Sequence, residues 1–133
     1  MRATRYVKPY KKNGKGELKK QVVSNPEINT GVYLIKEAGK IVYVGYSETH
    51  LDKTAYRHFQ TWQDFKQKRA TYNREKATIK FIFCSPAKAK ILEIYFIDKI
   101  KPRDNDIIYK HVNPALKKRA KELVKTISET DPF

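Results

Sequence analysis

Glu93 has the setting that most needs explaining. It stands in the run Ile91-Leu92-Glu93-Ile94-Tyr95-Phe96-Ile97, an acid among aliphatic and aromatic neighbours. A carboxylate is rarely buried in such company unless it is paired with a cation or bound to a metal. It is therefore either half of a structural ion pair or the single protein ligand of a hard divalent cation, which takes oxygen donors and keeps waters for a substrate phosphate. Tyr33 and Tyr43 lie in two β-rich runs, as cross-strand packing partners or as phenols facing a common site. Arg57 carries a planar fork of donors suited to phosphate oxygens. His58, beside it, can exchange a proton near neutral pH.

The elements that must position these groups can be read from the pattern around them. Gly31-Val32-Tyr33-Leu34-Ile35 and Ile41-Val42-Tyr43-Val44-Gly45 flank Lys36-Glu37-Ala38-Gly39-Lys40, which predicts a hairpin. Gly39 can supply the positive φ of a three-residue turn with a bulge. If Lys36 opposes Lys40, Tyr33 falls directly opposite Tyr43 and both rings share one face of the sheet. Leu51, Ala55, Tyr56, Phe59, Trp62 and Phe65 recur at helical steps and predict an amphipathic helix, with Lys53, Arg57, Lys66 and Arg69 as a basic ridge on its outer side. A strand follows over about residues 78–84. Ser85-Pro86 caps a helix running from Ala87 to about Ile100, and this helix carries Glu93. Lys101-Pro102 ends it, and Asn113-Pro114 opens a last helix with the apolar stripe Leu116, Ala120, Leu123, Val124 and Ile127. This order predicts an α+β domain with a small three-stranded sheet, mixed or antiparallel, flanked by helices.

A length of 133 residues suits one domain. Its 29 Lys and Arg against 14 Asp and Glu give a net charge of +15, which makes nucleic acid the first partner to consider. Much of the excess lies early, where Lys8, Lys11 and Lys12 belong to a stretch whose only acid before Thr30 apart from Glu27 is Glu17. Residues 1–29 read as a basic arm, either solubilising or in contact with phosphate, and residues 30–133 as the domain proper with an added C-terminal helix over about 114–129. The lone cysteine, Cys84, reads as a small buried hydrophobe. His50 and His111 read as loop or surface residues, and no His or Cys spacing suggests zinc. No apolar stretch approaches a membrane span and the first residues carry no apolar signal core, so a cytoplasmic location is expected.

The triplets Gly31-Val32-Tyr33 and Tyr43-Val44-Gly45, with nine residues between Tyr33 and Tyr43, resemble the two halves of the GIY-YIG nuclease signature, with Val for Ile in each. Arg57 on the helix after the hairpin, Glu93 on the helix after the third strand, and Asn105 in Lys101-Pro102-Arg103-Asp104-Asn105 extend the resemblance over about residues 30–105. It implies an endonuclease that hydrolyses phosphodiester bonds of DNA, with RNA left open, using one Mg²⁺ or Mn²⁺ held by Glu93. It further implies Tyr33 facing the attacking water and Tyr43 ordering it or the phosphate, with the base role open between them. Arg57 would clamp phosphate oxygens, and Asn105 would brace Glu93 or the hairpin. Gly31 and Gly45 are the motif glycines.

The chain departs from the family pattern at one point. The family usually places a His or Tyr one helical turn after its arginine, where this chain has Thr61, while His58 stands immediately after Arg57. Either can fill the role: Thr61 by position, His58 by chemistry. Two other functions compete with the nuclease: a catalytically silent nucleic-acid binder of the same fold, and a small basic ribonucleoprotein component.

Overall fold

A computed structural model of the chain describes residues 2–21, 27–59, 72–105 and 112–127. Its strands are β1 (Arg2–Ala3), β2 (Tyr10–Lys12), β3 (Leu18–Lys20), β4 (Gly31–Glu37), β5 (Lys40–Ser47) and β6 (Thr78–Phe83). Its helices are α1 (Leu51–Tyr56), which tightens into a 3₁₀ turn over Arg57–Phe59, α2 (Pro86–Ile100) and α3 (Pro114–Lys125). The α+β class expected from the sequence holds, but the main sheet has four strands rather than three, in the order β1-β6-β4-β5, and every pairing is antiparallel. Strands β2 and β3 form a separate hairpin.

The fourth strand comes from the stretch read as an arm. Besides β1 against β6, Val7 and Ile79 exchange backbone hydrogen bonds of 2.9 and 2.8 Å, and the Thr4 hydroxyl accepts from the Phe81 amide at 3.0 Å. Tyr10 packs edge-on against Tyr56 and Phe59 at ring separations of 6.0 and 6.4 Å. Charge hides this in the sequence, because the few apolar residues that dock, among them Ala3, Tyr6, Val7 and Tyr10, sit among basic residues that face solvent. Truncation after Lys20 would strip the ladder from β6 and uncover the Tyr56–Phe59 cluster. It is therefore expected to lower the melting temperature by roughly 10 °C or more, as a loss of several kcal/mol would. Thermal unfolding of the truncated chain checks this, and an unchanged melting temperature would show the stretch to be a detached arm.

The sheet separates two cores. On one face Val32, Leu34, Val44 and Ile82 pack under α2 and α3 with Leu92, Phe96, Ile97 and Ala120. On the other, Tyr33, Ile35, Phe81 and Phe83 pack against Leu51, Ala55, Tyr56 and Phe59. Cys84 is buried, as expected. Helix α2 starts where Ser85 accepts a hydrogen bond from the Lys88 amide, with Pro86 at its first position, and stops at Lys101 in a left-handed conformation. Helix α3 is capped by Asn113, which accepts from the Ala115 amide at 2.8 Å. Among the described residues no helix is long and apolar enough to cross a membrane.

The hairpin register differs from the sequence expectation in a way that matters for the site. The turn has two residues, Ala38 and Gly39, both with positive φ, and the bulge lies inside the strand pairing instead. Glu37 faces Lys40 and Lys36 faces Ile41, but Ile35 then faces Tyr43, so Val42 is the extra residue. Tyr33 consequently lies opposite Gly45, not Tyr43. Without the extra residue Tyr43 would face Leu34 and point toward α2. The one-residue shift turns it onto the face that Tyr33 occupies.

Candidate active site

A cleft of about 220 Å³ opens at the outer edge of β5 and is lined by Tyr33, Tyr43, Gly45, Tyr46, Thr54, His58 and Glu93. Tyr33 and Tyr43 are diagonal neighbours on one face, with rings stacked at 6.0 Å. His58 arrives from the 3₁₀ turn above that face. Its Nε2 lies 2.8 Å from the Tyr33 hydroxyl, and its ring lies 4.4 Å from that of Tyr43. Glu93 comes round the edge from α2 on the opposite face. Two layers of the fold thus meet at one edge strand.

Local sequence explains each placement. Gly45 is required because the Tyr33 ring lies across it, and a Cβ there would overlap Cζ and the hydroxyl of Tyr33. Gly31 has φ +145°, and a Cβ there would run into the Ile82 carbonyl oxygen, so it secures the close approach of β4 to β6. Both glycines therefore have steric work beyond marking strand ends. Gly45→Ala is expected to cost about 1–3 kcal/mol by overpacking and to push the Tyr33 hydroxyl away from His58. Thermal unfolding checks it, and a fully stable variant would contradict the packing described.

Asn105 acts on the edge strand from outside. Its Oδ1 accepts from the Val44 amide at 2.9 Å and its Nδ2 donates to the Val44 carbonyl at 2.8 Å. One side chain thus satisfies both outward backbone groups of the residue between Tyr43 and Gly45, as a neighbouring strand would. Of its two expected roles it takes the hairpin, and it is a positioning residue. Next to it, Asp104 accepts a hydrogen bond from the Tyr72 hydroxyl at 2.8 Å, and the Arg103 guanidinium holds its carboxyl below the usual range. The Tyr72 amide donates to the His58 carbonyl at 2.8 Å, and Arg74 Nε donates to the Phe59 carbonyl at 2.7 Å. These bonds fix the turn that presents His58.

Helix geometry decides which basic residue enters the cleft. Adjacent helical residues point about 100° apart, and here His58 is buried while Arg57 is exposed. One turn before His58 on the inward side stands Thr54, whose hydroxyl donates to Ser47 Oγ at 3.1 Å. Arg57 is not brought to the cleft. Lys53 is exposed on the same helix. Lys8, Lys11 and Lys12 gather with Lys76 around a separate groove beside the β2–β3 hairpin. Thr61, Lys66, Arg69 and His111 lie outside the described residues, as does the helix predicted beyond Phe59.

Glu93 is 8% exposed, and burial pushes its carboxyl up to about 7 against the opposing pull of Lys90. Among the described residues it has no ion-pair or hydrogen-bond partner. The ion-pair reading therefore has no support there. Nor do the described residues contain a cluster of three or more His, Cys, Asp or Glu that could enclose a metal. The donor set is one carboxylate with phenol and hydroxyl oxygens around it. That set fits a hard cation completing its shell with water and substrate phosphate, and not a closed protein cage.

The cleft residues missing from the sequence reading are Tyr46 and Thr54. Thr54 was detectable in principle, since it precedes His58 by four residues and so shares its helix face. Compared with known proteins, the chain matches no family model, no curated protein and no solved structure.

Proposed function

We propose that this chain is a metal-dependent endonuclease acting on DNA, with a site organised like that of GIY-YIG nucleases. The observation that carries the proposal is the meeting, at one cleft, of a buried carboxylate from α2, unpaired among the described residues, with the hydrogen-bonded Tyr33–His58 pair from the other side of the sheet. Glu93 would hold the cation. A bound Mg²⁺ or Mn²⁺ supplies charge neutralisation at the scissile phosphate and stabilisation of the leaving oxygen.

The chain's own groups do the rest. Tyr33 faces the attacking water, and the proton released there passes from its hydroxyl toward His58 Nε2, 2.8 Å away. Tyr43 packs on the His58 ring and borders the phosphate, while Thr54, its hydroxyl donated to Ser47 Oγ, forms part of the cleft wall. Arg57 and Lys53, exposed on α1 and the turn after it, meet flanking phosphates rather than the one being cut.

That no guanidinium lines the cleft among the described residues favours a second reading, a nucleic-acid-binding domain without catalysis. A substrate panel separates the two. Supercoiled plasmid, single-stranded DNA, branched DNA and RNA are incubated with Mg²⁺ or Mn²⁺ and with chelator. The nuclease should nick at least one DNA in metal and stop in chelator. Tight binding with no cutting under any of these conditions supports the silent binder, and RNA bound in preference to DNA supports a ribonucleoprotein component.

A further inference from the structure

Past the cleft, β5 and α2 continue side by side toward the hairpin turn and enclose a second, larger groove of about 830 Å³. Its floor includes Ile41, Tyr95, Ile100 and Val124. Three of these, Ile41, Ile100 and Val124, are only half-buried, so apolar surface stays open to a ligand. The rim is basic. Lys36 lies over the Tyr6 ring at 3.9 Å, and Arg103 is committed to Asp104. Lys40, Lys99 and Lys101 also line the groove, against the single acid Glu37, and make no ion pair among the described residues. Lys99 Nζ is 5.6 Å from the centre of the Tyr95 ring.

Residues adjacent along β5 and α2 line the groove and the cleft, and Asp104 and Asn105 dock on β5 at the junction through Val42 and Val44. Val42 of the groove immediately precedes Tyr43 of the cleft, and Phe96 follows Glu93 by one turn of α2. From Glu93 to Ile100 the helix advances about 10 Å. A strand whose phosphate sits in the cleft has this groove as its next stretch of protein.

We infer that the groove receives an unpaired nucleic-acid strand running on from the cleft, with its bases against the apolar floor and its phosphates on the lysine rim. This inference rests on the nuclease reading of the cleft. An apolar floor under a cationic rim is the arrangement that holds single strands, since unstacked bases have faces to bury and the backbone follows the charge. Bases within a duplex keep those faces stacked and have nothing to offer the floor.

The test uses the full chain carrying Glu93→Gln, so that nothing is cut, and a short labelled oligothymidylate read by anisotropy over a range of salt. Lys40→Glu with Lys99→Glu is expected to weaken strand binding by about tenfold or more and to lower the log-log salt slope by roughly 0.7 for each phosphate that is no longer neutralised. Lys118→Glu with Arg119→Glu, exposed on α3, makes the same change in net charge and should weaken binding far less. Equal weakening in the two variants would overturn the inference, because net charge alone would then explain it. So would equal weakening on blunt duplex and on single strand, or displacement of the strand by an acidic peptide at lower concentration than by unlabelled strand. If the chain bearing Glu93 cuts nothing while the groove variant still loses the strand selectively, the nuclease reading fails and the groove assignment stands.

Discussion

Glu93→Gln is expected to abolish metal-dependent cleavage and, at alkaline pH, to make the protein more stable. Both effects come from one carboxylate, buried without a partner among the described residues and pushed up to about 7 by that burial. The unfolded chain releases this proton near 4.5, the folded chain near 7, so the folded state binds more protons between the two. The stability contribution of this group is therefore fully present below about 4.5 and is lost as pH rises through about 7. Glutamine removes the titration. The advantage of the variant should grow by roughly 2 kcal/mol between pH 5 and pH 8, read as the difference in denaturant midpoints at the two pH values. Mg²⁺ or Mn²⁺ should raise the melting temperature of the native chain at pH 8 and leave the variant unmoved, since an ion that binds only the folded state stabilises it by mass action. Retained cleavage in Glu93→Gln would remove the carboxylate from the proposed site. An advantage over the native chain no larger at pH 8 than at pH 5 would show that the carboxylate is better solvated than its burial implies.

The same residue shows why part of the site was legible in the sequence. An acid inside an apolar helix is a local anomaly, and local anomalies can be read without coordinates. Ser85-Pro86, Asn113-Pro114 and the break at Lys101-Pro102 were equally local, and α2 and α3 begin where their caps predict. The hairpin was readable as far as its two strands. Its register was not, because a single extra residue at Val42 decides which face Tyr43 takes, and valine suits a regular strand as well as a bulge. Tyr33 and Tyr43 still share a face, although not as the directly opposed pair expected.

Contacts that join distant segments left no trace to read. The clasp of Asn105 on Val44 spans 61 residues, and the Tyr72–Asp104 bond spans 32. Neither has a periodicity or spacing of its own. The basic N-terminal stretch misled for a related reason. Its docking combines backbone pairing to β6, which any side chain permits, with a few scattered apolar side chains, so composition reported chiefly the solvent-facing lysines. Arg57 was placed by sequence order on the correct element, but an order of residues does not fix which side of a short helix faces the sheet. The change from α1 to a 3₁₀ turn at Arg57 presents His58 inward instead.

That placement makes His58 the second residue on which activity should turn. His58→Ala is expected to slow single-turnover cleavage at saturating DNA by about tenfold or more, equivalent to roughly 1.4 kcal/mol of transition-state stabilisation. The alanine would also remove a buried ring that touches Tyr43 and Tyr72, so a reduced rate alone could reflect a disturbed cleft. His58→Gln separates the causes, since glutamine can still hydrogen-bond the Tyr33 hydroxyl but cannot take up a proton. If His58 acts by accepting the proton, the glutamine enzyme should be stable and nearly as slow as the alanine enzyme. Tyr33→Phe should be comparably slow, and the double variant Tyr33→Phe with His58→Gln little slower than either single one, because two members of one relay do not contribute additively. Thr61→Ala provides the comparison, with a smaller effect expected. Should Thr61→Ala prove the slower enzyme, or should His58→Gln cut at the native rate, the 2.8 Å contact between His58 and Tyr33 would be a packing detail and the proton acceptor would lie elsewhere.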